Sequence, residues 1–245
     1  MLVGVLALSA GLGAGVSASD ATAPRGNATV SLERLKAGNA RFAGDPAVAL
    51  PIDPGRRAAV LDKQTPFASV LSCADSRVPP EIVFNTGIGD LFVVRSAGEV
   101  LDRSVLASLE YGAEHLKTPL LVIMGHEFCG AVQTAVDAAA GPSASMGANL
   151  DFLIKSIQPA VARASRALFE EPLKAAVLAN VEHVIGDLQT QSGILRKMVD
   201  SGELQIVGAY YELASGAVTF SQPARGRARP TTMRATSQAK PSPQP

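Results

Sequence analysis

Three short, dominantly apolar runs stand out along the chain, and each leads into a residue of different chemistry. Phe67-Ala68-Ser69-Val70-Leu71-Ser72 runs into Cys73, Leu91-Phe92-Val93-Val94 into Arg95, and Leu120-Leu121-Val122-Ile123-Met124 into Gly125-His126. Continuous runs of this length suit strands covered on both faces, as in a parallel sheet. Between the second and third, Asp102 can cap a helix reaching about Lys117, with Leu106, Leu109, Ala113 and Leu116 as its core stripe, which makes a βαβ pattern. Leu32, Leu35, Asn39 and Phe42 fall at helical spacing and predict a peripheral amphipathic helix over 31–42. Pro46, Pro51 and Pro54 then predict an extended connector over 45–57. Farther on, 150–167 and 173–199 read as two long helices, 204–212 as a strand and 216–220 as its hairpin return, punctuated by Gly202 and Gly216. The fold class is α/β, with one domain over 31–221 and no internal repeat.

Composition agrees with that class and narrows it. The 245 residues are 47% hydrophobic but only 4% aromatic, with no Trp, so the core must be aliphatic and closely packed. Basic and acidic residues balance at 22 each, which leaves no net field to attract nucleic acid or an anionic membrane. The balance is a sum of unlike parts. Arg225, Arg227, Arg229, Arg234 and Lys240 all lie beyond Ser221, where there is no acidic residue, so a mildly acidic body carries a basic tail. Residues 222–245 are rich in Pro, Ser, Thr, Arg and Ala and are expected to be disordered.

At the other end, Met1 to Val16 has no charged side chain, and Val16-Ser17-Ala18 offers small residues at a signal-peptidase spacing. Residues 1–18 therefore read as an export signal, followed by a flexible segment over 19–30, and the mature protein as periplasmic or secreted. There is no Lys or Arg ahead of the apolar stretch. A misassigned start would leave the protein cytoplasmic. The stretch is too short and glycine-rich to span a membrane, which takes about 20 apolar residues.

The chemistry collects in two places. Cys73, Asp75 and Arg77 alternate ahead of Val78-Pro79-Pro80, a context biased toward extended backbone, in which i, i+2 and i+4 share one side. His126 and Cys129 are three apart, between a strand and the helical run Ala131 to Ala135, where i and i+3 face the same way. A helix N-terminus favours thiolate at Cys129. If the first and third strands are parallel neighbours, both groups emerge at carboxyl ends, where open α/β sheets build their sites. Two thiolates and one imidazole match a catalytic zinc sphere with one open position, for which Asp75 could compete. The alternatives are buried structural thiols or a Cys73–Cys129 disulfide. Neither explains why every cysteine of the chain sits beside a strand end with Asp, Arg or His.

The segments Cys73-Ala74-Asp75-Ser76-Arg77-Val78-Pro79-Pro80-Glu81, Gly89 to Arg95, Ala97-Gly98 and Gly125-His126-Glu127-Phe128-Cys129-Gly130-Ala131 closely resemble the β-class carbonic anhydrases, over about 32–220. The C-x-D-x-R and H-x-x-C motifs, paired in this order, are a specific signal. The resemblance implies one Zn²⁺ per subunit on Cys73, His126 and Cys129, an Asp75–Arg77 dyad, and four parallel strands plus an antiparallel edge strand flanked by helices. It also implies a homodimer that can pair into a tetramer, with the N-terminal helix packing on its partner. Ser96 and Glu99 stand where the family commonly has Asn, and the Trp used by the non-catalytic bicarbonate pocket of some members is missing.

Such a zinc lyase would hydrate carbon dioxide reversibly to bicarbonate and a proton. Two thiolates cancel the metal's formal charge, so its water ionises less readily than the roughly pH 7 of a three-histidine site. Asp75 would accept a hydrogen bond from that water or hydroxide, with Arg77 holding Asp75. If Arg77 let go, Asp75 could bind zinc itself in a closed, inactive form. Tyr111 and His115, four apart, match a Tyr/His pair on the proton path of relatives, which makes His115 a candidate shuttle. A histidine in the last turn of a helix also stabilises that helix without catalysis. His183 has no recognisable partner and reads as structural. Hydrolysis of another heterocumulene such as carbon disulfide, or a non-catalytic zinc module, are the competing readings, and retention of Asp75 and Arg77 argues against the latter.

Overall fold

All three apolar runs form strands, and they pair in one five-stranded sheet of order β2-β1-β3-β4-β5. The strands are β1 (Ala68–Cys73), β2 (Leu91–Ser96), β3 (Leu120–His126), β4 (Gln205–Tyr211) and β5 (Val218–Phe220). The first four are parallel and β5 is antiparallel to β4, as expected for this fold class. The computed structural model describes residues 26–44, 49–141, 144–165 and 171–222; the expected export signal and the tail beyond Gln222 lie outside them.

β1 and β3 are buried along their whole length because both faces are covered. Leu71, Leu121, Ile123 and Ile206 pack on one face, with Leu109, Val184, Leu188 and Leu195. Val70, Leu120, Val122, Met124 and Val207 pack on the other, with Leu35, Val83 and Phe84. The alternation that is invisible in an all-apolar run reappears as a division between two cores.

The helices are α1 (Ala28–Gly44), α2 (Pro54–Ala59), α3 (Pro80–Val83), α4 (Arg103–Glu110), α5 (Gly130–Ala140), α6 (Ala148–Ala164), α7 (Pro172–Gln191) and α8 (Gly193–Ser201). α1 starts three residues earlier than expected, inside the segment read as flexible, because Asn27 Oδ1 accepts the Val30 N–H at 3.0 Å and caps it. Ser31 Oγ donates to the Phe67 carbonyl, and Asn39 Nδ2 donates to the Val83 and Gly216 carbonyls, so α1 is bolted to its own chain.

The connector over 45–57 is not extended throughout. Asp53 Oδ1 accepts the Arg56 N–H at 3.0 Å and Pro54 takes the first helical position, which is a helix start that the proline count concealed. The long helix over 173–199 is likewise two helices. Ser192 leaves helical geometry and caps α8 by accepting the Leu195 N–H at 3.0 Å, while its hydroxyl donates to Glu110 Oε1 at 2.6 Å. α7 lies close on the sheet because a Cβ on Gly125 or Gly208 would come within 2.8 Å of Val177 or Val181.

Candidate metal centre

β1 and β3 run parallel as hydrogen-bonded neighbours with Ser72 opposite Met124, so their carboxyl ends leave the sheet side by side. Cys73 is the last residue of β1 and His126 the last of β3. Cys129 caps α5 after a turn in which Phe128 adopts φ 52°. The ligand atoms of Cys73, His126 and Cys129 lie within 4.8 Å of one another, and all three residues are buried. The thiols are free, with Sγ atoms 3.9 Å apart, so the disulfide alternative is not realised.

His126 shows which nitrogen is offered. Nδ1 is 2.8 Å from the Glu127 carbonyl, an acceptor that only an N–H can satisfy, so Nδ1 carries the proton. Nε2 has no hydrogen-bond partner although the side chain is wholly buried. An orphaned imidazole lone pair beside two thiols is a donor set that fits zinc. The Cys129 thiol draws Cys73 down toward thiolate against the cost of burial, with His126 and the Gly98 N–H adding to the effect. Cys129 is pushed up by that same partner and by burial.

Asp75 faces the triad from its open side, with Oδ2 3.9 Å from His126 Nε2. Arg77 grips both carboxylate oxygens, Nε to Oδ1 at 2.9 Å and Nη2 to Oδ2 at 2.7 Å, and its backbone N–H also donates to Oδ1. The Arg77 guanidinium thereby holds the carboxyl well below the usual carboxylate range. Arg77 Nη2 also reaches the Phe128 carbonyl at 3.5 Å, tying the first limb of the site to the second. The expected extended presentation of 73–77 is corrected. The strand ends at Cys73, and the Asp75 side chain folds onto the Arg77 N–H in a turn, so the pair meets by local hydrogen bonding rather than by strand alternation.

Three further residues complete the surroundings, none of them given a role from sequence. Arg95 donates to the Cys73 carbonyl at 3.0 Å and to the Asp75 carbonyl, pinning the loop from behind. Glu99 is wholly buried in the turn after β2, where burial first and then the charge of Cys73 raise its pKa well above the usual carboxylate range. Asn180, on α7, donates to the Gly98 carbonyl at 2.8 Å. A charged residue ending an apolar run marked Arg95. A polar residue inside the stripe Ala176, Val177, Val181, Val184 marked Asn180.

Tyr111 and His115 are not brought to the triad. They occupy a π turn that ends the crossover helix, with rings stacked 5.2 Å apart and Tyr111 against Phe92. A crossover helix starts at the carboxyl edge of its sheet and ends at the amino edge. Within the same turn, a Cβ on Gly112 would sit 2.7 Å from Ser69 Oγ. Ser69 is four residues before Cys73, about 13 Å at the rise of a strand. His183 has a partner after all, Asp187 Oδ1 at 3.7 Å one turn on.

A family model described as carbonic anhydrase matches residues 68–218. The chain is 36% identical over 199 residues to a carbonic anhydrase of Mycolicibacterium smegmatis, covering 80% of this chain and 94% of that one. It is 36% identical over 195 residues to carbonic anhydrase 2 of Mycobacterium tuberculosis, covering 79% and 92%. Among solved structures, a Coccomyxa β-carbonic anhydrase in complex with acetazolamide superposes with a TM-score of 0.61 at 24% identity, covering 81% of this chain and 87% of that one. One of two tetrameric β-carbonic anhydrases from Sordaria macrospora superposes with a TM-score of 0.60 at 20% identity, covering 80% and 96%.

Proposed function

The chain belongs to the carbonic anhydrase family, in its β class, and from that premise we propose that it hydrates carbon dioxide reversibly to bicarbonate and a proton at a zinc ion held by Cys73, His126 and Cys129. One observation carries the reading: the unpartnered Nε2 of a buried histidine lies beside two thiols and faces a carboxylate gripped by arginine. When bound there, zinc would supply the Lewis acid that lowers the pKa of a water and makes it nucleophilic.

The chain's own residues do the rest. His126 keeps its proton on Nδ1, so the Nε2 lone pair is the one left to offer to metal. Arg77 keeps Asp75 ionised, which makes Oδ2 an acceptor only. A water seated beside the triad gives its O–H to Oδ2 and turns a lone pair toward the open side, where carbon dioxide arrives. With both its oxygens on Arg77, Asp75 is kept from competing for the metal. Tyr111 and His115, in the turn at the amino edge of the sheet, take no direct part at the triad.

We infer assembly as a homodimer that can pair into a tetramer. The half-buried edge strand β2 has an unpaired side, and the Sordaria macrospora enzymes that share the fold are described as tetrameric. Light scattering on the purified protein tests this, and a monomer would refute it. No helix among the described residues is long and apolar enough to cross a membrane. The apolar opening over 1–18 supports export, and protein recovered from periplasm or medium with an intact Met1 would overturn removal of that segment.

The function is tested by stopped-flow carbon dioxide hydration on zinc-loaded wild type and Asp75→Asn. Wild type should turn over, and the variant should bind zinc yet fall about 10–100-fold. A wild type that binds zinc and hydrates nothing would leave a non-catalytic zinc module and sink the proposal.

A further inference from the structure

The turn behind the metal centre is strained, and the residue that holds it lies outside both metal-site motifs. Gly98 (φ 62°) and Glu99 (φ 55°) are consecutive left-handed residues. For a glutamate that conformation is unfavourable and persists only where the surroundings over-determine it. Asn180 does so from α7, at a sequence distance of 82 residues and with 1% of its surface exposed. Its Nδ2 donates to the Gly98 carbonyl at 2.8 Å and reaches Glu99 Oε2 at 3.4 Å. Packing presses on the same point, since a Cβ on Gly98 would stand 2.8 Å from Ile157 Cδ1 and 3.2 Å from Ala131 Cβ.

The other side of Gly98 faces the metal centre. Its N–H donates to Cys73 Sγ at 3.4 Å. Gly98 is therefore a joint with a buried amide on its carbonyl and a ligand sulfur on its N–H. Released from Asn180, the turn would be free to relax from its left-handed geometry and that N–H would lose its aim.

We propose that Asn180 is a positioning residue for the metal ligand Cys73: it locks Gly98 so that the Gly98 N–H hydrogen-bonds the Cys73 sulfur. Two consequences follow from the chemistry. The bond orients Sγ toward His126 and Cys129, so the triad is arranged before metal enters. It also withdraws charge from one thiolate, which restores part of the Lewis acidity that two thiolates take from the metal. The proposal rests on Cys73 being a zinc ligand.

The test uses isotope-labelled full chain loaded with cadmium-113, a spectroscopic stand-in for zinc at thiolate sites. Metal uptake is measured first by atomic absorption. In wild type a scalar coupling between cadmium and the Gly98 amide proton is expected across the N–H···S bond. A second coupling is expected between the Asn180 side-chain nitrogen and the Gly98 carbonyl carbon. Asn180→Leu should lose the cadmium coupling and weaken metal affinity about 10–100-fold in chelator competition. Leu188→Ala, elsewhere on α7 in a core that does not include the cysteines, should destabilise the fold and leave the coupling intact. Cadmium uptake without a Gly98 coupling in wild type would overturn the proposal, as would a coupling that survives in Asn180→Leu. If Asn180→Leu does not fold, absence of the Asn180–Gly98 coupling in wild type refutes it and presence sustains it. Failure to take up cadmium at all would bring down the zinc reading and this inference with it.

Discussion

At the carboxyl edge of the sheet, Ser72 Oγ, Glu99 Oε1 and His126 Nε2 are buried with no hydrogen-bond partner, and they are the side-chain atoms so placed among the described residues. At the amino edge of the same strands the polar groups close on one another. Ser69 Oγ and Thr118 Oγ1 bond at 2.8 Å, Thr118 Oγ1 donates to the Gly112 carbonyl at 2.9 Å, and Ser31 Oγ donates to the Phe67 carbonyl at 2.8 Å. A made hydrogen bond contributes about 1 kcal/mol, whereas an open buried group costs about 1–3 kcal/mol. One edge therefore stabilises the fold, and the other leaves open groups, of which His126 Nε2 is the one a metal would satisfy. Parallel pairing separates the two, because it sends every carboxyl end in one direction.

The largest effect that could break this division is at a ligand. Cys129→Ser should bring zinc content to background and carbon dioxide hydration with it, with circular dichroism unchanged; stoichiometric zinc in that variant would show that the carboxyl edge is not a metal site. Next comes Arg77→Gln, which frees Asp75. Activity should fall about 10–100-fold while zinc is retained, and a crystal structure should show Asp75 moved onto the metal as a fourth ligand. If Asp75 stays in place and turnover is normal, the arginine grip is not what keeps the site open.

At the amino edge, Ser69→Ala should lower unfolding free energy by about 1 kcal/mol in urea, with zinc content and turnover as in wild type. Loss of zinc there would mean the two edges are not independent. The smallest effect is expected for His115→Ala, whose side chain stacks on Tyr111 in the turn at the amino edge of the sheet. Turnover in dilute buffer should be unchanged. A fall that imidazole buffer restores would instead make His115 the shuttle and draw the amino edge into catalysis.

Much of this architecture is legible in the chain where local and tertiary demands coincide. The apolar runs became β1 and β3 because strands covered on both faces favour apolar side chains at nearly every position. Legibility failed where a local signal was outvoted by a longer pattern. Asp53-Pro54 starts a helix inside a proline-rich stretch, and Ser192-Gly193 divides what helical periodicity joins. The Tyr111–His115 stack has the spacing foreseen, but spacing says nothing about which end of the sheet a crossover helix reaches. Asn180 was harder still. Its partner is 82 residues away, and no neighbour in sequence reports a bond of that kind.

By itself the sequence determined the chemistry. Two cysteines, one histidine and an aspartate–arginine pair at these spacings specify thiolate, imidazole and oriented carboxylate, because donor type belongs to the side chain wherever it lies. Only the tertiary structure decided that the three ligand atoms converge within 4.8 Å, that Nε2 rather than Nδ1 is left open, and that Gly98 is braced against Cys73 from α7. Those depend on the parallel register of β1 and β3 and on burial, and burial is a property of neighbours brought together in space, not of any residue alone.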